Sequence, residues 1–113
     1  MGPYSQAVRM GNLIFTAGQL AFNPKTGELV GTTIEDQTRQ VLENVKAILQ
    51  ASGCTLQAAL KITVYLKHIS DFAGMNLVYK EFFGDKPPAR TTVQAEIVNP
   101  KALIEVDAVA AVD

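Results

Sequence analysis

Cysteine and histidine are scarce in this sequence, which has 113 residues, one cysteine, one histidine and no tryptophan. One Cys and one His cannot build a Cys/His metal cluster, and Cys54 has no second cysteine for an internal disulfide. Small secreted domains usually depend on several disulfides, so this count favours a reducing compartment. We therefore expect a cytoplasmic protein with no metal site.

Net charge and long apolar runs are also lacking. Ten basic and eleven acidic residues give a formal net charge of −1, so no positive field draws in nucleic acid phosphates. Charged or polar residues interrupt every apolar run well before the ~18 residues that a membrane span needs. The first residues lack the basic and apolar regions of a signal peptide. We expect a soluble protein that binds neither nucleic acid nor membrane.

Familiar catalytic and cofactor motifs are missing as well. The sequence contains no glycine-rich phosphate loop, no dinucleotide fingerprint and no G-x-S-x-G serine, so we expect no cofactor. Cys54 follows a predicted helix C-terminus, where the helix dipole disfavours a thiolate, and we interpret it as unreactive. His68 lies at a predicted surface turn and is interpreted as a solvated residue, although a role as a base stays open.

What the sequence does contain is typical of one compact domain, predicted over residues 1–113. It is 48% hydrophobic and 19% charged, which is a globular composition. A chain this small has a large surface for its volume. Its apolar share is therefore high for a protein that stands alone.

Hydrophobic periodicity and turn residues predict two helices and several strands. Strands are predicted over residues 5–10, 12–19, 60–67, 90–97 and 103–112. A first helix begins at a Thr32–Glu35 or Thr33–Asp36 capping box and runs to Gly53. A second runs from a cap at Ser70 or Asp71 to Gly84, with an inner stripe of Phe72, Met75, Val78, Tyr79 and Phe82. The order β-β-α-β-α-β-β predicts an α+β two-layer sandwich with both helices on one face of a sheet of five or six strands.

The sheet face that no helix covers is predicted to be semi-polar, with interspersed apolar groups. We assign to it Lys61, Thr63, Tyr65, Arg90, Thr92, Gln94, Glu105, Asp107, Val109 and Ala111. A surface of this kind is typical of self-association, and closed cyclic oligomers bury it most simply. We therefore expect a homo-oligomer.

Arg90 and Glu105 are the charged residues that stand among mostly uncharged neighbours on predicted strands. A charge in such surroundings needs a partner. One interpretation is a structural ion pair, either between the two or with another subunit. The other is an anion site, in which the Arg90 fork grips a substrate carboxylate and Glu105 moves protons or orients water beside it.

Several stretches in a fixed order resemble the reactive intermediate deaminase family, also called Rid or YjgF-type. They are Gly2 to Ala7, Ala17-Gly18-Gln19, Gln37 with Asn44, Asn76 with Tyr79 and Phe82-Phe83, Pro88-Ala89-Arg90, and Glu105 through Ala110. The resemblance implies a chorismate-mutase-like α+β fold with a mixed sheet and a homotrimer with sites between subunits. It also implies a hydrolase that deaminates 2-imino or 2-enamino acids, such as 2-iminobutanoate and 2-iminopropanoate, to 2-oxo acids and ammonia.

The resemblance also implies roles for individual residues. Arg90 matches the arginine that binds the substrate carboxylate, and Glu105 matches the glutamate that activates or holds the attacking water. Tyr4 matches an aromatic residue that closes the pocket. Gly18 matches a residue whose backbone lines the site, and Asn76 matches a pocket asparagine.

Two site positions depart from the common family pattern. Ala17 stands where many members have serine, and Thr92 stands where many have cysteine, although the Thr92 backbone carbonyl can still hold a water. These changes keep open a second function, in which a metabolite-sensing protein binds 2-oxo acids without turnover. A ribonuclease or translation-inhibitor role lacks a basic aromatic strip, and a purely structural subunit is a further alternative.

Overall fold

Strands and helices alternate in the order that the sequence pattern predicts. The computed structural model describes residues 3–112; Met1, Gly2 and Asp113, which belong to the predicted domain 1–113, lie outside the described residues. The elements are β1 (Ala7–Met10), β2 (Leu13–Thr16), α1 (Ile34–Ala51), β3 (Ala59–Leu66), α2 (Phe72–Phe83), β4 (Ala89–Gln94) and β5 (Ile104–Ala111). The predicted β-β-α-β-α-β-β order is confirmed.

The first helix begins and ends at the residues that its sequence signals indicate. The Thr33 hydroxyl accepts a hydrogen bond from the Asp36 backbone N–H at 3.1 Å, which satisfies one of the free amides of the first turn. Of the two predicted N-cap residues, the structure thus has Thr33. Gly53, with φ +85°, follows the last turn and adopts a left-handed conformation that favours glycine.

The second helix packs on the sheet along a stripe slightly different from the predicted one. Met75, Val78 and Tyr79 are buried as expected, but the fourth buried residue is Phe83. The prediction for Phe82 is confirmed in part, because this residue is half-buried and packs against the core, whereas the prediction that Phe72 lies on the inner stripe was wrong, because this residue lies at the exposed start of the helix. Phe72, the first residue of the helix, is 41% exposed.

The five strands form one mixed sheet with the order β1-β2-β5-β3-β4. The β3–β4 pair is parallel, whereas β1–β2, β2–β5 and β3–β5 are antiparallel. A parallel pair needs a crossover connection, and α2 supplies it. This arrangement leaves β4 at one edge of the sheet and β5 at its centre.

Both helices pack on the same face of the sheet, where the core lies. The sheet contributes alternating buried side chains, and α1 and α2 contribute their inner stripes. The largest fully buried side chains are Ile14, Leu42, Leu49, Ile62, Leu66, Met75 and Ile104. No helix within residues 3–112 is long and apolar enough to cross a membrane.

Strand β4 differs from its prediction in length and in orientation. It ends at Gln94 rather than at residue 97. Its register with β3 pairs Arg90 with Ile62 and Thr92 with Val64, so these side chains face the helices. The assignment of Arg90, Thr92 and Gln94 to the uncovered face was therefore wrong. The side chains on the two faces of this strand have similar polarity, so the sequence did not indicate which face lies toward the core.

The uncovered face otherwise carries the residues predicted for it. Register between β3 and β5 pairs Tyr65 with Glu105, Thr63 with Asp107 and Lys61 with Val109, on the face opposite the core. Strands β1 and β2 extend this face with apolar side chains, of which Val8, Met10 and Phe15 are 58%, 76% and 42% exposed. One half of the face is thus apolar and the other half polar.

Candidate active site

The guanidinium of Arg90 is held against α2 at the edge of the sheet. Its Nη1 donates a hydrogen bond to Asn76 Oδ1 at 2.8 Å. Its central carbon lies 4.6 Å from the Tyr79 ring centroid and 5.5 Å from that of Phe72, within the range of cation–π attraction. Among residues 3–112 the ion pair formed is Arg39–Glu81, and Arg90 has no carboxylate partner. The remaining donors of its fork are available to a ligand.

Two buried hydroxyl groups accompany Arg90. Tyr79 OH and Thr92 Oγ1 have no hydrogen-bond partner in the part of the chain that the structure describes. Burial raises the pKa of Tyr79, although the positive charge of Arg90 opposes this effect. Buried polar groups are normally hydrogen-bonded. The surroundings of Arg90 therefore offer both a cation and polar groups that a polar ligand or a water can satisfy.

Glu105 lies on the uncovered face, in the middle of the sheet. It pairs across the strands with Tyr65, and Asp107 follows two residues later on the same face. The Tyr65 hydroxyl donates a hydrogen bond to Asp107 Oδ2 at 3.2 Å. Burial, and then the negative charge of Asp107, raises the pKa of Glu105. A raised pKa favours the protonated form of a glutamate, the form that acts as a general acid.

A bulge in the chain after β2 brings Gly18 against Glu105. The β2–β5 ladder pairs Phe15 with Val109 and resumes at Gln19 with Val106, so four steps on one strand match three on the other. Between these points Thr16 Oγ1 accepts the Ala108 backbone N–H at 3.0 Å. A Cβ at position 18 would collide with Glu105 Oε2. Gly18 therefore lies in a bulge, at a position where only a residue without a side chain fits beside Glu105.

The candidate residues form two groups that the chain does not bring together. Arg90, Asn76 and Thr92 lie on the helix side of β4, at the sheet edge. Glu105 and Gly18 lie at the uncovered face.

Two further residues that the sequence indicated lie near the N-terminus. Ala17 precedes the bulge glycine, and its N–H donates to the Gln6 carbonyl at 2.8 Å. Tyr4 is 58% exposed.

Gln37 and Asn44, two amide residues that contribute to the resemblance, form hydrogen bonds to the backbone of loops. Gln37 is buried, and its side chain bonds to the Gly31 and Lys101 carbonyls and to the Leu103 N–H. Asn44 donates to two carbonyls of the loop that follows the bulge. These amides fix the loops that flank the sheet.

Sequence reasoning missed the residues that surround the two main candidates. Tyr65 and Asp107 were assigned to the uncovered face but not to the neighbourhood of Glu105, because their contact depends on strand register. Phe72 and Tyr79 were interpreted as core, and their position beside Arg90 follows from the inverted face of β4. Cys54 is buried, its thiol 3.2 Å from the Ala111 carbonyl, and His68 is exposed.

Comparison with known proteins identifies the same family as the sequence stretches that resemble Rid proteins. The family model described as Endoribonuclease L-PSP matches residues 1–112. A RutC family protein of Pyrococcus horikoshii is 54% identical over 110 residues, which are 97% of this chain and 87% of that protein. The chain belongs to the YjgF/Rid family.

Other members of the YjgF/Rid family carry more specific names. A 2-iminobutanoate/2-iminopropanoate deaminase of Dermatophagoides farinae is 35% identical over 113 residues, covering 100% of this chain and 88% of that protein. The crystal structure of E. coli TdcF with bound serine superposes with a TM-score of 0.93 at 39% identity, covering 100% of this chain and 91% of that chain. The expected Rid-type α+β fold is therefore confirmed.

Proposed function

We propose that this protein hydrolyses 2-imino and 2-enamino acids, such as 2-iminobutanoate and 2-iminopropanoate, to 2-oxo acids and ammonia. The observation that carries the proposal is the Arg90 fork, which is half-buried, positioned by Asn76 and without a carboxylate partner among the described residues. It suits a small ligand with a carboxylate group. A relative named as a deaminase of such imino acids and a relative crystallised with serine, which has an α-carboxylate, support this substrate class.

The proposed active protein is a homotrimer in which the Arg90 group of one copy meets the Glu105 group of the next. Two observations support it: the two groups lie on opposite faces within one chain, and an apolar region with Val8, Met10 and Phe15 is exposed beside Glu105's half of the sheet. Self-association buries such a region. The cytoplasm, where imino acids are released by dehydratases, is the proposed location.

The proposed site binds the substrate carboxylate on Arg90, with Gly18 and Ala17 lining the imine end and Tyr4 covering it. Glu105 and the Thr92 backbone carbonyl hold the attacking water. This arrangement acts by positioning and by one general acid–base group, each of which can contribute several powers of ten. The chemistry uses only groups of the protein, so no cofactor takes part.

The proposed reaction balances with Glu105 as the proton carrier. The Glu105 carboxyl donates its proton to the imine nitrogen, water adds to the imine carbon, and a proton of that water returns to the carboxylate. Glu105 then protonates the amine of the carbinolamine. The C–N bond breaks with its electron pair on nitrogen, ammonia leaves, and the hydroxyl proton passes to Glu105 as the carbonyl forms.

The decisive experiment adds the protein to a threonine dehydratase reaction and follows release of 2-oxobutanoate. The wild-type protein should accelerate release. Arg90→Lys, which keeps the charge but loses the fork, and Glu105→Ala should abolish the acceleration. His68→Ala, at an exposed position outside both groups, is the control and should behave as wild type. A wild-type protein that leaves the release rate unchanged would refute the enzyme proposal.

A second candidate function, sensing of 2-oxo acids without turnover, is favoured by the side chains at positions 17 and 92. Ala17 has no hydroxyl to hold a reacting group, and Thr92 presents a hydroxyl that is buried and unpartnered within the described chain. Arg90 alone would suffice to bind a carboxylate. Saturable binding of 2-oxobutanoate that depends on Arg90, without acceleration of the dehydratase product, is the result that selects this function.

A further inference from the structure

The polar half of the uncovered face holds a cluster of three side chains, namely Glu105 and its neighbours Tyr65 and Asp107. Tyr65 lies directly opposite Glu105 on β3, and Asp107 lies two residues away on β5. Directly opposed residues and residues two apart on one face of a sheet have side chains within reach of each other. The cluster is therefore set by the register of β3 and β5, two strands inside the sheet.

One hydrogen bond fixes the geometry of this cluster. The Tyr65 hydroxyl donates to Asp107 Oδ2 at 3.2 Å. Burial, and then the charge of Asp107, raises the pKa of Tyr65, so the hydroxyl keeps its proton and remains a donor. The Asp107 carboxyl group is thereby held in place next to Glu105.

We propose that Tyr65 and Asp107 are positioning residues for Glu105: Tyr65 holds the Asp107 carboxylate in place beside Glu105, and this arrangement lets Glu105 enter the reaction as an acid. The proposal rests on the proposed deaminase function. It adds the reason why this glutamate can donate a proton to the imine nitrogen before it accepts one from water. Two neighbouring carboxylates disfavour double ionisation.

The other charged groups near Glu105 leave this conclusion in place. Of the described residues on this face, Lys67 lies two positions beyond Tyr65, but its Nζ donates to the Pro100 carbonyl at 2.6 Å. Strand β4 presents Val93 opposite Tyr65, and the bulge residues beside Glu105 carry no charge. Lys61 lies on the same face opposite Val109, four residues from Glu105 along β5. In the proposed trimer Arg90 of a second copy is a further positive group, and the bound substrate carboxylate neutralises it.

The test compares the pH dependence of kcat/KM in wild type and in Asp107→Asn, using the assembled protein. If Glu105 acts as an acid, activity is lost as pH rises through its titration. Asp107→Asn removes the neighbouring charge, so this loss should begin at lower pH and the rate at pH 8 should fall severalfold. Tyr65→Phe should also lower the pH at which kcat/KM begins to fall, but by less. Asp107→Glu should have the pH profile of the wild type. Asp85→Asn, at an exposed loop position, is the matched control and should leave the profile unchanged.

A second readout needs no substrate and separates this proposal from the proposed function. Protein labelled with ¹³C at the glutamate carboxyl carbons is titrated by NMR, and the Glu105 resonance is assigned with Glu105→Gln. Its titration midpoint should be lower in Asp107→Asn than in wild type. An unmoved midpoint overturns the positioning role, even if the variant is less active. A lowered midpoint in a protein that accelerates no deamination overturns the proposed function and leaves the coupling of the two carboxylates established.

Discussion

Arg90 and Glu105 lie on opposite faces of one sheet, Arg90 toward α2 and Glu105 toward the face that no helix within residues 3–112 covers. They are also separated by strand β3 and differ in their position along it. A structural ion pair between them within one chain is therefore excluded. Any chemistry that needs both groups requires a second copy.

Mixed oligomers test this separation directly. Arg90→Ala and Glu105→Ala should each be inactive alone, because each lacks one half of every site. Co-refolded in equal amounts, random mixing should restore about a quarter of the wild-type activity, since both halves of a site are then intact with that frequency. The measurement is the rate of 2-oxobutanoate release after refolding. Mixed oligomers that form but remain inactive would contradict a site shared between copies.

Gly18→Ala should damage catalysis far more than stability. The new Cβ would occupy the space of Glu105 Oε2, and the glutamate side chain can move away with little loss of packing. We expect kcat/KM to fall on the order of 100-fold, since small displacements of a reacting group have effects of this size. The free energy of unfolding should change by less than about 1 kcal/mol.

Gly11→Ala is the complementary control for that experiment. Gly11 has φ +59° and open space where a Cβ would lie, so only the backbone conformation is strained. The substitution should lower the free energy of unfolding by about 1 kcal/mol and leave kcat/KM unchanged. If the two variants show the same pattern, the contact of Gly18 with Glu105 does not matter to the reaction.

Asn76→Asp should weaken substrate binding more than Asn76→Ala. The asparagine Oδ1 already lies 2.8 Å from Arg90 Nη1, so a carboxylate there would form an ion pair and compete with the substrate carboxylate. We expect KM for the imino acid to rise on the order of tenfold in Asn76→Asp. Steady-state kinetics of both variants provide the measurement. A larger rise in Asn76→Ala would instead mean that the Asn76 amide contacts the substrate itself.

Glu105→Gln should stabilise the protein at neutral pH but not in acid. The pKa of Glu105 is raised in the folded state above its ordinary value of 4.5, so the unfolded chain loses this proton first and the wild type loses stability as pH rises above that value. Glutamine has no such loss. The gain should be small, below about 1 kcal/mol, because the carboxyl is only partly buried. Chemical denaturation at pH 4 and pH 7 measures it, with the exposed Glu96→Gln as control; a gain that is equal at both pH values would contradict the shift.

The order of the elements and their arrangement in two layers could be predicted from the sequence, because hydrophobic periodicity and helix-capping residues indicated the same elements. The helical spacing of α1 between Thr33 and Gly53 and the strong alternation of β3 left little ambiguity. Leu103 to Val112 likewise alternates clearly, so the face that carries Glu105 and Asp107 was predicted correctly. Strong hydrophobic contrast fixes a face, whatever the tertiary context.

The site was predicted only as a set of residues, since its geometry depends on weakly patterned segments. Strand β4 offers Arg90, Thr92 and Gln94 on one side and Ala89, Thr91 and Val93 on the other, with little contrast between them. Its orientation is decided by register with β3, which is a long-range property. The contact between Tyr65 and Asp107 depends on register in the same way.

The bulge between Thr16 and Gln19 has a consequence for how this sequence can change over evolution. Surface segments between regular elements usually tolerate gain or loss of a residue. Here the extra residue sets which side chains face Glu105, and removing it would reverse the facing of the chain on one side of the bulge. Homologous sequences should therefore vary in residue type along this segment but keep its length. Insertions and deletions should occur instead in the turn at Asn23 to Gly27.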